Sequence, residues 1–180
     1  SEVTVTLNGH TGMAEISVSD DGIGFDTSSH PTTAHGLLGM RYRVEAARGA
    51  RIVPRMGPQH PSIITLYFQR RGDDWTGRGK FEAYRWWATF RSHAPLTPGE
   101  HELSVSLDEN WTAVGTSSAA NNPKGFREAI REAERVGFTF GGGDGYGHGV
   151  YSTGPAKFVV TSFQVIGDTN FGVREAPGGQ

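Results

Sequence analysis

A chain of 180 residues, 36% hydrophobic and 20% charged, has enough apolar material for a packed core, and its length suits one ordinary domain or two small ones. The formal net charge of −2 argues against binding nucleic acid or an anionic membrane through bulk electrostatics. With no cysteine, disulfides, thiolate metal sites and cysteine nucleophiles are excluded, and no apolar run approaches the ~20 residues that a membrane helix needs.

The chain opens in a strand pattern. Val3, Val5 and Leu7 alternate, Asn8-Gly9 and Gly12 turn, and Ala14, Ile16 and Val18 alternate again, which predicts a β-hairpin with one buried face. Such a start is not a signal peptide, so a cytoplasmic location is expected for the chain as it stands. A glycine- and serine-rich loop runs to about His35. Leu37, Met40, Val44 and Ala47 then fall at helical spacing and end at Gly49, which predicts a helix. Strands are expected near residues 51–55 and 63–69, on either side of the turn-rich 56–61. The expected order is β-β-α-β-β, a truncated antiparallel sheet carrying one helix.

The polar run Arg70-Arg71-Gly72-Asp73-Asp74 marks the expected boundary between a segment 1–70 and a β-rich segment 75–167. Residues 81–90 are aromatic-rich, and one of Trp86 and Trp87 should face the core of a strand. Leu103, Val105 and Leu107 alternate. Asn122-Pro123 combines an N-cap with proline at the first helical position, and Phe126, Ala129, Ile130 and Ala133 give that helix an apolar stripe. Val136, Phe138 and Phe140 form a strand, residues 141–149 contain six glycines, and 157–166 is the last strong strand before a tail at 168–180. The expected fold class is therefore α+β, with the truncated sheet and helix joined to a β-sandwich or jelly roll that also carries one helix.

Two constellations carry chemistry. In the first, Asp20-x-Gly22-x-Gly24 puts a carboxylate and two glycines at a strand end. The carboxylate can accept from an exocyclic amine, and the glycines allow close approach of backbone to ligand. Gly36 and Gly39, followed by Met40, would then open a helix whose N-terminal amides favour phosphate. Residues 2–50, and more loosely 2–70, resemble the C-terminal part of the ATP-binding domain of sensor histidine kinases, the GHKL family. Gly36-Leu37-Leu38-Gly39-Met40-Arg41-Tyr42-Arg43-Val44-Glu45-Ala46 is similar to the subtype paired with helix-turn-helix response regulators. The resemblance implies adenine contact by Asp20, a pocket shaped by Gly22 and Gly24, and a lid from Gly36 to Met40. It implies ATP as cofactor. The family's Asn-bearing helix that holds Mg²⁺ and its phosphoacceptor helix are missing, and Gln59-His60-Pro61-Ser62 stands where the family has Gly-Thr. A degenerate segment, not a competent kinase on its own, is the expectation.

In the second constellation, Arg85-Trp86-Trp87-Ala88, residues 103–107, Trp111-Thr112-Ala113-Val114, residues 136–143, Gly147-His148-Gly149-Val150-Tyr151 and residues 158–163 are similar to bacterial envelope β-sandwich proteins related to carbohydrate-binding modules. That resemblance implies an envelope or secreted setting and a saccharide-like or other small-molecule ligand. Stacking of sugar C–H faces on aromatics is the physical basis, with Tyr84, Trp86, Trp87, Trp111 and Tyr146 available. Tyr146, Asp144, His148 and Trp111 are the expected ligand contacts, with Tyr146 exposed in its glycine loop and core packing favoured for the tryptophans. Asp144 and His148 could also serve as metal ligands or an acid/base pair, joined by His30, His35 and His60 if the two segments pack together.

Three functional expectations follow. One is a saccharide-binding sandwich fused to a degenerate ATP-binding segment. The second is an ATP-binding fragment of a two-component kinase, and the third a small metal-assisted hydrolase at the junction. Truncated sheet edges would make the two segments complete one another or pair between copies as a homodimer.

Overall fold

The computed structural model describes residues 3–10, 13–20, 37–88, 92–115 and 117–166. Among these the chain is mostly strand, in antiparallel sheets, with one α-helix. Strands β1 (Val3–His10) and β2 (Met13–Asp20) form the expected hairpin, with Val5 opposite Val18 and Leu7 opposite Ile16. They lead into a seven-stranded sheet of order β1-β2-β10-β5-β6-β9, in which β5 (Ser62–Arg70) is central. Its other members are β6 (Arg85–Trp87), β9 (Thr112–Ala113), β10 (Ala133–Gly142) and β7 (His93–Pro95), the last also paired to β5. A three-stranded sheet joins β12 (Ala156–Ile166), β3 (Leu37–Ala46) and β8 (Gly99–Ser106), and β4 (Ile52–Pro54) pairs with β11 (Val150–Ser152). Each described sheet contains strands from both sides of the polar run at 70–74.

The helix expected from Leu37 to Gly49 is not formed: those residues are strand β3. The reason lies in what each conformation buries. A helix would gather Leu37, Met40 and Val44 but turn Leu38 and Tyr42 away from them. As a strand, Leu38, Met40, Tyr42 and Val44 share one face and are all buried, while Arg41, Arg43 and Glu45 project to the other side. Two neighbouring strands, β8 and β12, then satisfy the backbone on both edges. Gly49 has φ +83° and serves a turn, with Ala50 N–H bonded to the Ala47 carbonyl.

The inner face of the large sheet and that of the small sheet share one core. It contains Ile64, Leu66, Phe68, Trp86 and Phe138 from the former and Leu38, Met40, Tyr42, Leu103 and Val105 from the latter. This gives the molecule a sandwich-like character. Helix α1 (Pro123–Arg131) closes one end. It starts as expected: Asn122 Oδ1 accepts from Gly125 N–H at 3.0 Å, a cap of about 1 kcal/mol. Its Phe126, Ala129 and Ile130 are buried, with Phe126 meeting Trp86 edge-on at 5.1 Å between ring centroids. Tyr42 is held by a bond from its hydroxyl to the Pro95 carbonyl at 2.8 Å, and burial pushes its phenol pKa well above the ordinary value.

Candidate binding site

The second face of β5 is unlike its first. Alternation that sends Ile64, Leu66 and Phe68 inward sends Thr65, Tyr67 and Gln69 outward, yet these are as buried as the core: 0%, 2% and 3% exposed. Cross-strand register extends the face. Thr65 lies opposite His93 and Thr139, Tyr67 opposite Trp87, Gln69 opposite Arg85, and Trp87 opposite Thr112. The result is a continuous, buried polar and aromatic layer, with Tyr67 and Trp87 stacked at 6.4 Å between centroids.

Several polar atoms on this face are buried with no hydrogen-bond partner among the described residues. They are Thr65 Oγ1, Gln69 Oε1, Trp87 Nε1 and Thr112 Oγ1. Such atoms cost roughly 1–3 kcal/mol each when left unmade, so their clustering on one face needs a reason. The Gln69 amide is oriented by its other end: Nε2 donates to Asp73 Oδ2 at 2.9 Å. Asp73 in turn pairs with Arg85 Nε at 2.7 Å, the two side chains 0% and 9% exposed. His93 is half-buried, and burial holds its pKa below the usual histidine value.

Two loops frame the face. On one side lies the glycine segment 141–149, which folds back onto it. Thr139 Oγ1 donates to the Tyr146 carbonyl at 2.7 Å, and Gly147 rests against Trp87, where an added Cβ would lie 3.6 Å from Cζ2. Gly141 must be glycine, because any Cβ there would strike the Gly145 carbonyl oxygen. On the other side is the loop 72–78, where the Arg85 guanidinium lies 4.6 Å from the Trp75 ring centroid and 5.8 Å from that of Trp87. Contacts therefore run in series from Trp75 through Arg85 and Trp87 to the glycine segment.

The expected site residues divide. Asp144 and His148 are exposed on the glycine segment, and Tyr146 beside them is half-buried rather than exposed. Burial, and secondarily the Asp144 charge, raise the Tyr146 phenol pKa. Trp111 offers no face to a ligand. It is 0% exposed, packs on Phe68 at 5.2 Å, and donates Nε1–H to the Ser106 carbonyl at 3.0 Å. Trp86 is likewise core, and Trp87 is the outward member of the pair. Asp20 is the last residue of β2, while Gly22, Gly24 and Gly36 lie outside the described residues, as do His30 and His35. Gly39 and Met40 sit inside β3, so they open no helix and present no N-terminal amides to a phosphate. Met40 is 2% exposed in the core, and nothing in the ladder requires glycine at position 39. Among the described residues no three His, Asp or Glu side chains converge as a metal site, and no helix is long and apolar enough to cross a membrane.

Sequence reasoning missed Thr65, Gln69, Arg85, Thr112 and Trp75. The signal for the first two was present in the run Ser62–Arg70, where hydrophobic and polar residues alternate too little for a strand with one wet face. Elsewhere, a concavity of ≈150 Å³ lies beside β4, β11 and β12 and is lined by Ile52, Leu96, Phe140, Val150 and Phe158, with Tyr151 and Lys157 at hand. It lacks converging polar groups to orient a ligand, which the outer face of β5 supplies. Comparison with protein-family models, curated proteins and solved structures finds no match to this chain.

Proposed function

We propose that this protein binds a saccharide-like ligand on the outer face of its large sheet. The observation that carries the reading is the set of buried polar atoms on Thr65, Gln69, Trp87 and Thr112 that have no partner among the described residues, arranged around the stacked Tyr67 and Trp87. A sugar offers both things such a face needs. Its hydroxyls donate and accept within one small molecule, and its C–H faces pack on aromatic rings. The glycine segment acts as a cover of small cross-section. Only Asp144, Tyr146 and His148 among residues 141–149 carry side chains, so a ligand that displaces the cover meets those three as its polar and aromatic rim. In this reading the segment that resembles a nucleotide-binding domain serves as scaffold: its strand β3 supplies core residues and two ladders.

The test is titration calorimetry against neutral and acidic oligosaccharides. A saccharide should bind the wild-type chain, and Tyr146→Ala together with Gln69→Leu should weaken it by about tenfold or more, which is ~1.4 kcal/mol. Absence of binding to every sugar at millimolar concentration, or binding indifferent to both substitutions, would overturn the reading. A millimolar ATP titration run alongside decides whether the nucleotide segment keeps a ligand of its own.

A further inference from the structure

Trp75 belongs to no strand, and it is the one non-glycine residue among those described with a left-handed backbone, φ +65°. A bulky side chain is strained in that region. The same loop holds Gly72 and Gly77 at φ +74° and +60°, and Gly79 just after it is at +57°, so glycine was at hand for such a turn. The strained residue is nonetheless tied down from three directions. Its N–H is bonded to Asp73 Oδ1 at 3.1 Å, its carbonyl accepts from Arg85 Nη2 at 3.0 Å, and the Arg85 guanidinium covers one face of the indole. Asp73 and Arg85, the residues that hold it, are themselves almost fully buried.

That anchorage does not hide the ring. Trp75 remains 44% exposed and takes no part in the hydrophobic core. A strained backbone, a buried anchor and an exposed indole together describe a group positioned for something outside the chain. We infer that Trp75 is the outer stacking platform of the binding face. This rests on the saccharide reading and narrows its ligand class. Arg85 occupies one face of the ring, which leaves a single flat apolar face for the ligand. That face suits a pyranose whose substituents are equatorial, because its axial hydrogens then form an unbroken C–H surface. Through Arg85 the platform connects to Trp87, so the ligand is an oligosaccharide of β-linked glucose-type units that reaches from the 72–78 loop toward the glycine segment.

Two measurements on full-length Trp75→Gly, Trp75→Ala and Trp75→Phe test this. The first is thermal unfolding without ligand. Trp75→Gly should unfold at or above the wild-type temperature, since glycine relieves the left-handed backbone. A clear drop would assign the indole to stability and overturn the inference. The second is titration with cellotetraose and laminaritetraose, two series of β-linked glucose units. Loss of the ring in Trp75→Gly and Trp75→Ala should weaken binding roughly tenfold, while Trp75→Phe should stay within about threefold of wild type. If the wild-type chain binds these sugars and all three variants bind equally, the platform is refuted and the saccharide site stands. If the wild-type chain binds no sugar of any class, both fall. If it binds only sugars outside these two series, the ligand class named here is wrong while the site survives.

Discussion

Trp86 and Trp87 are neighbours in one short strand and live in different chemistry. Trp86 faces inward, is 0% exposed, meets Phe126 edge-on, and has its indole N–H satisfied by the Ala83 carbonyl at 2.9 Å. Trp87 faces outward, stacks with Tyr67, and its buried Nε1 has no partner among the described residues. The same contrast runs along β5. Ile64, Leu66 and Phe68 fill a core that completes its own contacts, whereas Thr65 and Gln69 are equally buried yet carry polar atoms with no partner among the described residues. Burial alone therefore does not separate the core face from the face proposed to bind. Polar satisfaction does, because a core that leaves donors and acceptors unpaired forfeits stability unless something else returns it.

The largest expected effect breaks the inner side. Trp86→Ala removes a fully buried indole from the junction of α1 and the large sheet, and should cost about 3–5 kcal/mol in chemical denaturation. Trp87→Phe is its counterpart. It keeps most of the ring and deletes the unpaired N–H, so stability should stay within about 1 kcal/mol of wild type while saccharide affinity falls. Equal destabilisation by the two substitutions would erase the distinction between the faces.

A sharper and smaller test is Thr65→Val. The hydroxyl of Thr65 is in the centre of the outer face, between His93 and Thr139 in register, at 0% exposure. Replacing an unpaired buried hydroxyl by a methyl group should raise stability by about 1 kcal/mol and weaken ligand binding. A loss of stability instead would mean that the hydroxyl is satisfied in solution and that the outer face belongs to the fold.

How much of this was legible beforehand follows from the same contrast. The β1–β2 hairpin, the central strand, the Asn122-Pro123 helix start and the strand at 133–142 rest on local signals: alternation, turn residues and a cap. Strand β3 is ambiguous in the sequence, because Leu37, Met40, Val44 and Ala47 satisfy a helical period as well as Leu38, Met40, Tyr42 and Val44 satisfy a strand. The choice is made by β8 and β12, which lie far along the chain. Alternation required one of Trp86 and Trp87 to face inward, but which one depends on register with β5. Trp111 looked available only because its burial beneath Phe68 and Phe126 is a tertiary fact. Trp75 left no trace, since sequence patterns do not reveal a left-handed tryptophan. The aspartate two positions before it, which accepts its N–H, was the one hint.

The smallest effect is electrostatic and also belongs to the outer face. His93 is paired in register with Thr65, and burial lowers its pKa below the ordinary value near 6.5. The folded chain thus prefers neutral His93, while the unfolded chain takes up the proton as pH falls through about 6.5. Its contribution is fully present above that pH and is lost on acidification toward the lower folded pKa. Glu132 acts in a separate, more acidic window. Hydrogen bonds from Arg131 and then Arg70 hold its pKa below the usual carboxylate value, so its contribution disappears only where carboxylates protonate. Melting temperature should therefore fall in two stages, the first setting in as pH drops through about 6.5 and amounting to a few degrees or less. His93→Gln should flatten that first stage and leave the second. A first stage that survives the substitution would place the titrating group elsewhere and leave His93 as an ordinary strand residue.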